Sequence, residues 1–119
     1  MKRIFLYVVP TALLFSFISF PHTLIGTWMT KGQDNSIVLL KFDSSGSFKV
    51  TVGNTVENQG HYSFNEDTFT MYDANCGSSF VGKYKLTFFT EDSASFTLID
   101  DSCKDRAGEV DGGRIKRVK

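Results

Sequence analysis

The chain has 119 residues, with 13 basic and 13 acidic side chains, two cysteines and two histidines. That length sets one domain as the expectation. A balanced charge argues against a nucleic-acid partner, and the Cys and His count is too small for a structural zinc site, so neither a metal nor another cofactor is expected.

The chain opens on the basic Met1-Lys2-Arg3, followed by an uncharged and mostly apolar run from Ile4 to Phe20. This is the pattern of a secretory signal peptide, expected over residues 1–23. Pro10 within the run favours that reading over a membrane span. The run is close to the ~17-residue lower limit for a transmembrane helix, so an uncleaved N-terminal anchor is the alternative, and a membrane partner is expected only in that case. No Ala-x-Ala precedes Leu24, and no cysteine stands where a lipid anchor would attach. The expected folded domain is residues 24–119, secreted, periplasmic or held in the cell envelope.

From residue 24 onward the sequence shows no helical periodicity. Short apolar or alternating runs recur about every ten residues with turn residues between them, the rhythm of an antiparallel sandwich or barrel. The first expected strand is Leu24 to Thr30, holding the single tryptophan, Trp28. Ser36 to Phe42 follows, with Val38, Leu40 and Phe42 on one face, and then a turn at Asp43-Ser44-Ser45-Gly46. Phe48, Val50 and Val52 alternate with Ser47, Lys49 and Thr51, so the third strand is half-buried. The fourth is expected at Gly60 to Phe64, the fifth at Thr68 to Tyr72 and the sixth at Phe80 to Thr90. The seventh is expected at Ser95 to Ile99. The eighth is expected over Arg106 to Val118, interrupted at Asp111-Gly112-Gly113 by a bulge or turn.

Eight strands joined by short turns match a small closed up-and-down barrel, with a sandwich as the alternative. Cys76 falls between the fifth and sixth strands and Cys103 between the seventh and eighth. In a meander both loops lie at one end of the barrel, so a Cys76–Cys103 disulfide is expected in an exported chain. Closing that loop contributes roughly 3 kcal/mol on the chain-entropy account.

Leu24-Ile25-Gly26-Thr27-Trp28 resembles the Gly-x-Trp strand that opens lipocalins and related calycin barrels. The later order of Gly60-His61-Tyr62, Asp67-Thr68-Phe69-Thr70-Met71, Cys76, Gly82-Lys83-Tyr84 and the Asp101-x-Cys103-x-x-Arg106 element is similar to small secreted bacterial lipocalin-like domains. The resemblance implies an eight-stranded barrel able to hold a small apolar ligand. It also implies a structural role for Gly26 and Trp28, with a basic residue near the chain end, Arg117 in preference to Arg114, packed on the indole. A guanidinium suits that place, because it stacks on a ring while bonding carbonyls at the closed end.

If a pocket exists, its expected lining is Tyr62, Phe69, Tyr84 and Phe88, because a buried phenol needs a polar partner that an all-Phe core lacks. The competing reading is a filled core, since eight strands leave an interior just wide enough for side chains. Asp73, Asp100, Asp101 and Asp105 flank the cysteines and read as turn residues. His61 reads as an exposed strand residue with Ser63 beside it on the same face. No nucleophile–base pair or carboxylate pair is evident. The expectation is therefore a monomeric, non-enzymatic protein that binds a small apolar molecule, or alternatively a protein-interaction or inhibitor module with a filled barrel. The basic C-terminal residues Arg114, Lys116, Arg117 and Lys119 read as a solvated final strand.

Overall fold

A computed structural model describes residues 22–119. The expected leader over 1–23, apart from His22 and Thr23, lies outside the described residues. Eight antiparallel strands close into one barrel in chain order: β1 (Gly26–Lys31), β2 (Ile37–Phe42), β3 (Ser47–Val52), β4 (Thr55–Asn65), β5 (Thr68–Asp73), β6 (Gly77–Thr90), β7 (Ser93–Asp101) and β8 (Arg114–Arg117). The sandwich alternative is set aside by the β1–β8 pairing, Trp28 opposite Arg117 and Met29 opposite Lys116, which leaves no free sheet edge.

Two expectations need correction. The segment read as the start of the eighth strand forms a helix, α1 (Lys104–Val110), so the chain beyond residue 23 is not free of helix. Lys104-Asp-Arg-Ala-Gly-Glu-Val has no period-2 alternation, and Arg106 and Val110 stand four residues apart on one helical face. Arg106 is buried and Val110 packs against the core, so tertiary burial of that face decides the local structure. The second correction is length. β4 begins at Thr55 and β6 at Gly77, earlier than expected. Thr55 to Gln59, polar but for the exposed Val56, and Gly77 to Ser79 lie mostly exposed, so they carry no hydrophobic alternation although the ladder holds them.

The strands place Phe42, Phe48, Phe69, Met71, Tyr84, Leu86, Phe96 and Ile115 in one buried cluster with Leu24 and Trp28. Their rings form a continuous chain of edge and tilted contacts. Phe42 meets Phe48, Tyr62 and Phe69 at 5.0–6.1 Å between centroids. Phe69 meets Phe96 at 5.3 Å, and Phe96 meets Tyr84 at 6.3 Å. These separations are within the range that favours aromatic pairs.

In a meander the connections alternate between the two ends. The N-terminal segment, the β2–β3, β4–β5 and β6–β7 turns and the chain end share one end. The β5–β6 connection, α1 and both cysteines share the other. Trp28 closes the first end. It is fully buried, its indole N–H donates to Leu24 O at 2.9 Å, and the Arg117 guanidinium carbon stands 4.3 Å over its ring. Gly26 is required beside it. Its φ is +129°, and a Cβ there would meet Arg117 Nη1 at 2.9 Å.

Trp28→Ala should lower unfolding free energy by about 3–5 kcal/mol, the cost of a large core cavity. Urea denaturation measures it. A variant with the wild-type midpoint would show that the indole does not hold this end.

Candidate functional site

The polar groups buried most deeply among the described residues lie at the cysteine end and converge on Arg106. Helix α1 carries its side chain inward to 5% exposure. Asp101, at the end of β7, takes it in a two-pronged ion pair: Nε donates to Oδ2 and Nη2 to Oδ1, both at 2.7 Å. Nη2 also donates to Phe80 O on β6 at 2.8 Å. Nη1 faces Asp73 Oδ2 on β5 at 3.2 Å, an ion pair without hydrogen-bond geometry. Tyr84 Oη donates to Asp101 Oδ2 at 2.5 Å. One guanidinium therefore ties α1 to three adjacent strands.

The same carboxylates anchor both cysteine loops. Asp73 Oδ1 accepts the Cys76 N–H at 2.8 Å, and Asp101 Oδ1 accepts the Cys103 N–H at 2.9 Å. Cys76 and Cys103 form a disulfide with their Cα atoms 6.2 Å apart, a normal separation. Gly82 leaves room for the cluster, since a Cβ there would meet Asp101 Oδ2 at 2.6 Å. Asp73 and Asp101 thus do perform turn chemistry, as their flanking position suggests. They are also buried counter-ions, which that reading does not include. The signal was present in the Asp101-x-Cys103-x-x-Arg106 element, but nothing in the sequence says where a guanidinium in a strand-like run will point.

The charges explain the titration behaviour. Burial works to raise the Asp101 carboxyl, but Arg106, the Tyr84 hydroxyl and the Cys103 N–H outweigh it and hold it below the usual carboxylate range. Burial first, then the bond to Asp101 and its charge, raise the Tyr84 phenol far above its ordinary value. The Asp101 hydrogen bond leads the causes that keep Arg106 charged.

Of the four residues expected to line a pocket, three are neighbours: Phe69 stacks on Tyr62 at 5.9 Å and pairs with Tyr84 across β5 and β6. Tyr84 and Phe69 are fully buried in the core, and Tyr84 bonds at the cysteine end. Tyr62 is half-buried and donates to Asp43 O at 2.7 Å, at the opposite end. Phe88 lies beside Trp28 and Phe64 and stacks on His22 at 4.3 Å. Arg117 takes the place that the resemblance implies. Besides the Trp28 stack, it donates to Ile25 O and Thr23 O, both at 2.8 Å, and pairs with Asp92 at 3.2 Å. Arg114 instead stands over Phe89 on the outer surface.

Two clefts lie outside the barrel wall. One, of about 660 Å³, spans the outer face of β2 to β5 around Lys41, Lys49, Gln59, His61 and Tyr72. The other, of about 320 Å³, lies between Met29, Phe89 and Arg114. The alternation that marks these residues as outward was legible; their meeting in a groove was not. Among the described residues no group of three His, Cys, Asp or Glu side chains is placed to hold a metal ion, and no helix is long and apolar enough to cross a membrane.

No protein-family model matches the chain, and no curated protein matches it. Among solved structures the chain is similar to pallilysin from Treponema pallidum, with 14% identity, 81% of this chain and 79% of that one covered, and a TM-score of 0.52. The likeness is one of fold, and the closed eight-stranded antiparallel barrel fits a calycin-type architecture.

Arg106→Ala should destabilise the domain by about 3–5 kcal/mol, because it leaves two carboxylates buried without a counter-charge. A thermal scan beside wild type measures this, and an unshifted transition would deny the cluster its bracing role. Asp101 makes the stability of the fold depend on pH. A carboxyl depressed in the folded state stabilises fully above the unfolded value, about pH 4, and loses that contribution as pH falls through the folded value. Wild type should therefore lose more stability between pH 7 and pH 2 than Asp101→Asn does, and equal losses would assign the acid transition to other groups.

Proposed function

We propose that this chain is an exported, non-enzymatic binding protein whose lipocalin-like barrel is a packed scaffold that meets its partners through its outer surface and loops. The observation that carries this reading is the state of the two interior tyrosines. Both phenols are satisfied by the protein itself, Tyr84 by Asp101 and Tyr62 by Asp43 O. An entering ligand would have to displace these bonds and part the ring chain from Phe42 to Tyr84, at the cost of close-packed contacts. Export is supported by the Cys76–Cys103 disulfide, which persists in oxidising compartments, and by the signal pattern over residues 1–23. The non-enzymatic reading is supported by the engagement of the reactive candidates: the disulfide uses both cysteines, and His61 stacks on Tyr72 at 5.2 Å.

A second reading, a small apolar ligand held by the barrel, is supported by one feature. Tyr62, Phe64 and Phe88 remain only partly buried at the Trp28 end, where a ligand could cover them.

Titration with a naphthalene-sulfonate dye and with a C16 fatty acid separates the two. The packed scaffold predicts no saturable signal with either. Saturable micromolar binding, about −8 kcal/mol, that is lost in Phe88→Ala would overturn the packed scaffold and establish the second reading.

A further inference from the structure

The groove on the outer face of β2 to β5 joins two rows of side chains that the strand registers set side by side. Lys41 pairs with Lys49, and Lys49 with Gln59. Two residues along, Ser47 pairs with His61, and His61 with Tyr72. Successive rows on one face stand about 7 Å apart. All but the half-buried Ser47 are exposed. Gly60, Ala74 and Gly77 border the floor, so no bulky side chain fills the space between the rows. Gly60 itself is inward between Gln59 and His61, and a side chain there would collide with the Tyr72 and Asp73 backbone, so glycine lets β4 and β5 lie close beneath the groove.

The charge arrangement is unfavourable in the protein alone. Two lysines directly opposite across a ladder repel each other. Among the described residues neither Lys41 nor Lys49 has a carboxylate within 4.0 Å. Asp43, at the groove edge, accepts from Ser45 and Ser47 through Oδ1 and also feels the Lys41 charge. Asp73, also at the edge, turns its carboxylate to Arg106 and to the Cys76 N–H. The groove thus holds two ammonium groups without a direct carboxylate contact, Lys41 being near enough to Asp43 to act on its charge, with an amide, an imidazole, a hydroxyl and the Tyr72 ring.

We propose that this groove binds an acidic saccharide, its carboxylate or sulfate held between Lys41 and Lys49 and a sugar ring lying on the His61–Tyr72 stack. A sugar's hydroxyls match Gln59, Ser47 and His61 as donors and acceptors, and an anionic group removes the lysine repulsion. An apolar ligand would leave these polar groups unpaired. A nucleic-acid strand requires a broad basic field, whereas the domain from residue 24 to 113 is acidic outside this patch. The assignment rests on the packed-scaffold reading, since it places recognition on the barrel's exterior.

The exported protein, labelled with nitrogen-15, is titrated with a galacturonic acid trisaccharide, a heparin tetrasaccharide and neutral maltotetraose. Saturable amide shifts at Lys41, Lys49, Gln59, His61 and Tyr72 are expected with one or both acidic sugars, and none with maltotetraose. Binding of the galacturonic acid trisaccharide shows that a carboxylate suffices, and binding of the heparin tetrasaccharide alone assigns the contact to sulfate. Lys41→Gln with Lys49→Gln should weaken binding about tenfold, the loss of charge-assisted bonds, without lowering the melting temperature. Tyr72→Ala should weaken it while leaving the charge dependence intact. No saturation by about 10 mM of either acidic sugar, a weak limit by any measure, would overturn the site. So would equal binding by the double lysine variant, or shifts that map elsewhere. The dye and fatty-acid titration reads the interior independently, so failure of the groove and failure of the packed scaffold give different results.

Discussion

The barrel depends on how its shortest strand is held. β8 has four residues and meets β1 over two register pairs and β7 over three. A ladder that short supplies few backbone bonds to close the sheet. Arg117 supplies what is missing. It stacks on Trp28, bonds carbonyls of the N-terminal segment and the β6–β7 turn, and pairs with Asp92. One side chain therefore joins both chain ends to a turn, and the buried indole beneath converts that join into the floor of the core. Gly26 belongs to the same device, since any larger residue would occupy the place of the guanidinium.

The opposite end solves the same problem with different chemistry. Here the connection from β7 to β8 is long and must cross to the right strand. The disulfide fixes the connection covalently, and Arg106 fixes it electrostatically, drawing α1 onto β5, β6 and β7. A buried ion cluster of this kind stabilises little relative to a well-packed apolar substitute, because desolvation offsets most of the attraction. Its geometry is nonetheless demanding. In the observed placement of α1, Arg106 meets both carboxylates and the Phe80 carbonyl together. A domain of this size buries a limited share of its surface, so covalent and ionic ties at the ends complement a modest core.

Both ends are tied, and a continuous chain of rings runs between them. The inward and outward positions of each strand therefore have different surroundings. Outward positions on β2 to β5 are free of packing duty, which is why they can gather a lysine pair, an imidazole and a phenol ring at little cost to the fold. Strand alternation separates the two tasks by residue parity: Phe48 and Val50 serve the core, and Ser47 and Lys49 serve the outer face.

The sequence by itself pointed to the all-β class, the strand count and a cysteine pairing, and it favoured a closed up-and-down barrel over a sandwich. These are legible because alternation, turn residues and cysteine placement act over short spans, and because a meander makes neighbours of consecutive strands. Only the tertiary structure decided that Lys104–Val110 is a helix, that Arg106 is buried between Asp73 and Asp101, and that the Tyr62 and Tyr84 hydroxyls turn to opposite ends. It alone also brought Lys41, Lys49, His61 and Tyr72 into one groove. Each of these depends on contacts between residues distant in sequence. A guanidinium enters the interior only where two carboxylates from other strands already wait, and a groove exists only where several registers bring small residues together. Period and spacing describe one segment at a time, and they hold no record of such meetings.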